Sequence, residues 1–379
     1  MPKIIKVEAY KFNMAESWLT NTEVACQMSC YPKYKKTRDT WMYPMVTTIV
    51  KIETDSGHYG YGWAGGGKSA SADIINDVFS RYLLDADPFN IEYLWDVMYR
   101  ATVPFGRKGL VIEALSAVDT ALYDIVGKIL GIPVYKYLGG KVREKIKVYP
   151  TGNALEQHVK RGFIDVKLAM PYGPVDGIKG MKENEALVKK ARELMGVDGD
   201  VMLDCYMSWD EEYTVNMARR LKDYRIKWIE EPLMPDFYDG YRRLKDILNP
   251  MGIMITGGEH EFTHYGFKEI IEKQCINILQ PDIGRTGGLT AFKKICAMAE
   301  AYNIKVIPHG SGAVPYHAVI NSTVSPYAEY IDVYAQGGLP NFIGEPEPIN
   351  GYVELKDEPG FGYDLNPELL DGGKPVTIW

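Results

Sequence analysis

No apolar run in this chain of 379 residues approaches the ~18 needed to cross a bilayer, so a membrane-spanning role is not expected. Positive charge is in deficit: 43 Lys and Arg stand against 50 Asp and Glu, a net charge of −7. No stripe of Lys and Arg interleaved with aromatics is present, so a nucleic-acid partner is not expected either. Cysteine is scarce. Cys26, Cys30, Cys205, Cys275 and Cys296 are odd in number and scattered, which argues for free thiols in a reducing cytoplasm. The opening stretch MPKIIKVEAYKF alternates polar and apolar residues and lacks the apolar centre of a secretory signal. Low-complexity segments are missing as well.

What is present is the composition of a soluble globular protein, 46% apolar and 25% charged. The length exceeds one ordinary core and suits a barrel of roughly 200–250 residues with a smaller domain attached. Between Lys147 and Asp332 short apolar runs recur, most of them stopping at a residue that can carry charge. They are Val166-Lys167, Val201-Met-Leu-Asp204, Trp228-Ile-Glu230, Ile253 to Glu259, Ile276 to Asp282, Lys305-Val-Ile-Pro-His309 and Tyr327-Ala-Glu329. An eighth run, Lys147 to Gly152, precedes them. Successive charged ends are 37, 26, 29, 23, 27 and 20 residues apart, the length of one strand, one helix and two short loops. That is the pattern of a (β/α)8-type barrel.

Strand ends of such a barrel converge on one space. Asp204, Glu230 and Glu259 then stand side by side and repel unless a hard cation holds them. Asp282 and His309, on the next two ends, read as a carboxylate orienting an imidazole. The plain alternative, acids that only cap helices, accounts for one such residue but not for the ordered set.

Before the barrel, Ile4 to Phe12 and Val46 to Thr54 read as strands, and Asp55-Ser-Gly57 as a hairpin turn. Thr20 to Thr40 has no clean period and reads as a long binding loop. Helical spacing follows over Ala70–Leu84, Ile91–Ala101 and Gly109–Leu130, with Gly131 and Pro133 as a stop. Further helices are expected over Asn184–Met195, Glu211–Tyr224, Phe267–Lys273 and Thr290–Tyr302. These divide the chain into an α+β capping domain, 1–130, a barrel, 131–335, and a Pro- and Gly-rich segment, 336–379, that returns to the capping domain.

Two motifs invite other readings. Gly62-Trp-Ala-Gly-Gly-Gly-Lys-Ser69 fits the phosphate-loop pattern, but it follows a Gly/Tyr stretch after a hairpin turn rather than a buried parallel strand. His260-Glu-Phe-Thr-His264 fits the zinc-protease pattern, but Gly257-Gly258 and Gly266 argue against the continuous helix that pattern needs.

Asp204, Glu230 within Trp228-Ile-Glu-Glu-Pro232, Glu259, Gln280-Pro-Asp282 with Gly287-Gly288, and Pro308-His309-Gly310 resemble the mandelate racemase group of the enolase superfamily over nearly the full length. Met170-Pro-Tyr-Gly-Pro-Val-Asp-Gly177, Met202 to Ser208, Gly258-Glu-His260 and Pro308-His-Gly-Ser311 are similar, more narrowly, to the L-rhamnonate dehydratases. The resemblance implies a modified TIM barrel, (β/α)7β, with an α+β cap completed by the C-terminal segment. It implies Mg²⁺ on Asp204, Glu230 and Glu259, holding the carboxylate of a small sugar acid. His309, aligned by Asp282, would be the general base. Glu329 would hydrogen-bond the developing oxyanion, provided its carboxyl stays protonated, and Lys167 would stabilise the substrate carboxylate. Arg38 matches an Arg that the family's N-terminal loop carries to the sugar hydroxyls, and His260 would touch the substrate or the metal's surroundings. Relatives are commonly tetramers or octamers, so a homo-oligomer is expected.

The departures narrow the reaction. Where many members of the group have Lys-x-Lys, this chain has Lys167-Leu-Ala169, which leaves His309 as one acid–base group and favours β-elimination over racemisation. The N-terminal loop is shorter and no His precedes His58, so another aldonate (L-mannonate, L-lyxonate, D-arabinonate, D-xylonate) stays open. So do an acid-sugar racemase or epimerase and a non-catalytic sugar-acid-binding relative.

Overall fold

The computed structural model describes residues 1–13, 24–35, 46–65, 69–331, 340–371 and 374–375. Three antiparallel strands, β1 (Ile4–Asn13), β2 (Val46–Thr54) and β3 (Tyr59–Ala64), form a sheet in that order. Helices α1 (residues 70–83), α2 (Ile91–Thr102) and α3 (Leu110–Leu130) follow. Helix α3 is covered on every face, and all of Val111 to Gly127 is buried, Glu113, Asp119 and Asp124 among them. The contact between β3 and α3 is close enough to demand glycine. A Cβ on Gly60 would lie 2.3 Å from the Ala121 carbonyl oxygen, and one on Gly62 would lie 2.0 Å from that of Ala117. Gly62, the first residue of the phosphate-loop pattern, is therefore a packing glycine on an antiparallel strand, and the parallel-sheet setting that pattern needs is not there.

Eight parallel strands follow: β4 (Ile146–Thr151), β5 (Val166–Ala169), β6 (Val201–Asp204), β7 (Ile226–Glu230), β8 (Met254–Gly257), β9 (Ile278–Leu279), β10 (Lys305–Val306) and β11 (Ala328–Ile331). Seven helices connect them: α4 (Leu155–Lys160), α5 (Gly177–Met195), α6 (Glu211–Leu221), α7 (Tyr238–Leu248), α8 (Thr263–Glu272), α9 (Gly288–Ala301) and α10 (Ala313–Asn321). The result is the (β/α)7β barrel, with β11 returning to pair β4. At the β10/β11 seam, Val306 N–H donates to Val324 just before β11 (3.1 Å).

Alternation along the strands sets two layers inside the barrel. Tyr149, Met202, Trp228, Ile278 and Ile307 make an apolar floor. Two residues further on, Asp204 and Glu230 stand in register with Ala169 and Thr256. The cap is bolted to the β9–α9 loop: Trp95 Nε1 donates to the Gly287 carbonyl (2.7 Å), Gly287 N–H to Ser116 Oγ (2.8 Å) and Thr290 N–H to Asp119 (3.0 Å). The C-terminal segment meets the cap, where Tyr363 donates to the Tyr61 carbonyl (2.8 Å). It also lends the barrel a strand, because β13 (Tyr352–Val353) pairs antiparallel with β4, while β12 (Phe342–Ile343) pairs β14 (Asp364–Leu365). Among the described residues no helix is long and apolar enough to cross a membrane.

Candidate active site

Asp204 closes β6, Glu230 closes β7, and Glu259 lies two residues beyond β8. Beneath them Lys167 turns inward from β5, its side chain fully buried. Its ammonium lies 2.6 Å from Glu230 Oε1, 2.9 Å from Glu329 Oε1 and 3.9 Å from Asp204 Oδ2. An ammonium is tolerated in such a place only when carboxylates surround it. Trp228 Nε1 (3.2 Å) and Gln280 Nε2 (2.6 Å) donate to the other oxygen of Glu230. Burial still pushes Glu230 up to about 8, with Lys167 opposing and Asp204 and Glu329 adding to the rise. Glu230, which burial keeps from ionising readily, and its neighbour Asp204 offer hard oxygens of the kind that suit a divalent cation such as Mg²⁺ and not a soft metal.

Glu259 makes its own close contacts on the opposite side, where its Oε1 lies 3.4 Å from His309 Nε2, 3.5 Å from Arg285 Nη2 and 3.7 Å from His260 Nε2. Burial would raise its pKa, but these cationic neighbours hold it below the usual carboxylate range. Glu231, Glu259 and His260 also bring one ligand-type atom each within 4.8 Å of one another. That trio does not suit a metal. The Glu231 carboxylate already accepts from Gly258 N–H (3.1 Å), His260 N–H (3.2 Å) and His260 Nδ1 (2.6 Å), so it serves the loop and not a cation.

Asp282 and His309 face each other across an isolated parallel bridge just past β9 and β10. Asp282 Oδ2 lies 2.9 Å from His309 Nδ1, and Gly284 N–H (2.7 Å) holds Oδ1. This engages Nδ1 and turns Nε2 toward Glu259. Burial would lower the imidazole pKa, but Glu259, Glu329 and Asp282 outweigh it and raise His309 to about 10.

Glu329, in β11, accepts from Lys167 and the Thr151 hydroxyl on Oε1 and from Gly310 N–H (2.8 Å) on Oε2. Burial favours its protonated form, yet Lys167 and His309 prevail and its pKa is lowered. These neighbours work against the protonated carboxyl that donation to an oxyanion would need, and through them Glu329 ties Lys167 to the turn after His309.

Of the remaining expected residues, His260 is brought beside Glu259, and Arg38 lies outside the described residues. In the zinc-protease lookalike, α8 begins only at Thr263, and the two histidines part company: His260 meets Glu231, whereas His264 packs on Trp95 and Tyr265. Residues 24–35 of the long loop rest on the barrel rim, through Ala25 N–H to the Met170 carbonyl (2.9 Å), Lys35 to Asp176 (2.5 Å) and Cys26 against Tyr206 and Met207. Sequence reasoning missed Glu231 and Arg285. Glu231 follows Glu230 directly, and a left-handed backbone (φ +36°) turns it out of the strand. The available signal was the second acid of Trp228-Ile-Glu-Glu-Pro232.

Residues 151–369 match the family model for the enolase C-terminal domain-like region, and residues 36–139 that for the mandelate racemase/muconate lactonizing enzyme N-terminal domain. The chain belongs to the mandelate racemase/muconate lactonizing enzyme family. Within this family, an L-rhamnonate dehydratase of Saccharopolyspora erythraea is 38% identical over 364 residues, 94% of this chain and 93% of that protein. A protein of Caldivirga maquilingensis provisionally named L-rhamnonate dehydratase is 40% identical over 95% of this chain and 92% of its own length. The crystal structure of rhamnonate dehydratase from Gibberella zeae complexed with Mg superposes with a TM-score of 0.90 at 35% identity, covering 97% of this chain and 95% of that one. The barrel and cap described above are those of the mandelate racemase/muconate lactonizing enzyme family.

Proposed function

We propose that this chain is a Mg²⁺-dependent hydro-lyase that converts L-rhamnonate to a 2-keto-3-deoxy acid and water. The observation that carries the reading is His309 Nε2, aimed by Asp282 at the carboxylate set. The relatives named for this activity and the solved Mg complex support it. Asp204, Glu230 and Glu259 would hold the cation. When bound it supplies Lewis-acid stabilisation of the second negative charge that builds on the substrate carboxylate as the α-proton leaves.

The surrounding carboxylates favour a protonated His309 at rest; a cation on Glu259 would offset that pull, and the neutral Nε2 then takes the C2 proton while Asp282 holds Nδ1. The C2–H electron pair passes first into the carboxylate and then forms the C2–C3 double bond as the C3–O bond breaks. Protonated His309 delivers its proton to the departing hydroxyl, water leaves, and the enol tautomerises to the ketone. Lys167, anchored by Glu230 and Glu329, keeps a positive charge beneath the substrate carboxylate. His260, oriented by Glu231, and Arg38 would meet the sugar hydroxyls. Ala169 stands beside Asp204 in register, so no second base rises from that position, which favours elimination over racemisation or epimerisation.

The division into cap (1–130), barrel (131–335) and returning segment (336–379) belongs to the same reading, as do a cytoplasmic location, supported by five free thiols, and a homo-oligomer. Half-exposed Tyr265, stacked on Tyr99, offers apolar surface for such assembly. The test is a screen of aldonic acids with Mg²⁺, trapping 2-keto-3-deoxy products with semicarbazide. EDTA-sensitive product from L-rhamnonate is expected. Exchange of the α-hydrogen in D₂O without loss of water would replace the dehydratase with a racemase.

A further inference from the structure

Arg285, on the turn between β9 and α9, has its side chain 13% exposed. Its Nη2 is 3.5 Å from Glu259 Oε1 and its Nε is 3.4 Å from Asp282 Oδ2. Those two oxygens are the ones His309 faces, at 3.4 Å from Nε2 and 2.9 Å from Nδ1. The four groups close a ring in which one guanidinium and one imidazole share the same pair of carboxylate oxygens. The Arg285 contacts are too long and too poorly aligned for strong hydrogen bonds, and among the described residues Nε has no hydrogen-bond partner. They act as ion pairs across a rigid plane that only a guanidinium provides. The cap lies close over the arginine stem, where a Cβ added to Gly65 would meet Arg285 Cγ at 3.0 Å, and Gly65 N–H donates to the Gly284 carbonyl (3.1 Å).

We propose that Arg285 is a positioning residue for His309, spacing Asp282 and Glu259 so that the imidazole is held flat between them with Nε2 toward the substrate. The proposal rests on the dehydratase reading for its kinetic arm only. In Arg285→Ala, kcat for L-rhamnonate should fall about 10- to 100-fold, with KM changing less than about threefold. Added guanidinium ion should restore part of the activity and ammonium none, and Arg285→Lys should behave like the alanine variant. Independently of turnover, the downfield proton resonance of His309 Nδ1–H against Asp282 should shift or broaden in Arg285→Ala and return with guanidinium. An unchanged resonance, or full kcat in a folded Arg285→Ala, overturns the proposal. If the wild-type protein dehydrates no aldonate, the dehydratase reading fails, and the resonance still decides the role of Arg285.

Discussion

Two histidines flank Glu259, and each is oriented by a carboxylate, but the carboxylates are employed differently. Glu231 spends one oxygen on the backbone of the loop that carries His260 and the other on the imidazole, so the His260 pair is part of the framework of its own turn. Asp282 is anchored by a neighbouring amide on one oxygen and offers the other to His309 and Arg285 together. His309 Nε2 also lies nearer the shared Glu259 oxygen than His260 Nε2 does, 3.4 Å against 3.7 Å. A carboxylate beside a histidine does not by itself define a base. The carboxylate's other obligations separate the two imidazoles: Glu231 ties His260 to its own loop, whereas Asp282 shares one oxygen between His309 and Arg285.

The widest gap between the two should come from matched substitutions. His309→Asn should lower kcat about a thousandfold or more while Mg²⁺ affinity, read by calorimetry, changes little. His260→Asn should mainly raise KM, by about tenfold, as expected for one lost hydrogen bond to a substrate or its surroundings. Equal losses of kcat in the two variants would erase the distinction drawn here.

Next in size is the cation that both pairs look down upon. Lys167→Met leaves Glu230 and Glu329 buried without their common partner, and it should cost about 3–5 kcal/mol of stability, read as a lower urea midpoint. An unchanged midpoint would mean that the three groups are not a mutually dependent set.

A third histidine supplies the control. His317 is buried with no carboxylate partner among the described residues, and its Nδ1 accepts from Tyr135 N–H (3.2 Å). Burial, with Lys141 adding to it, pushes His317 down to about 3, the opposite direction to His260 and His309. The folded form thus excludes a proton that the unfolded chain accepts below about 6.5. Its stabilising effect is complete above that pH and is lost as pH falls from 6.5 toward 3, by about 1.4 kcal/mol per unit. Urea midpoints at pH 7 and pH 5 should differ accordingly, and His317→Asn should flatten the difference.

The barrel was legible in the sequence because its strands are marked twice, by an apolar run and by a charged end, and Asp204, Glu230, Asp282 and His309 stand where that pattern puts them. The strand lengths were less visible. The run Ile276–Asp282 yields a ladder of only two residues, since Pro281 has no N–H to give and the Asn277 side chain takes the Ile255 amide (2.9 Å). Helix α7 escaped notice because Asp239-Gly240 and a string of charges hide an apolar stripe of Tyr241, Leu244 and Leu248. Helix α5 begins seven residues before Asn184, at a glycine that reads as a breaker. The pairing of Glu329 could not be read from order along the chain, because its partner Lys167 is 162 positions away in sequence and 2.9 Å away in space.

Strand β4 pairs with β5, which follows it closely, and with β11 and β13, which are made much later. At a ribosomal rate of roughly 5–20 residues per second, the open side of β4 waits about ten to forty seconds for its partners. Throughout that interval a row of bare amides and carbonyls is available to any other strand, which is a hazard for a nascent polypeptide. The same delay governs the buried charges, because Lys167 gains Glu329 as a partner only once β11 is made. The exposure of that edge therefore ends only with two late events, the docking of residues 328–331 and then of residues 352–353 on β4.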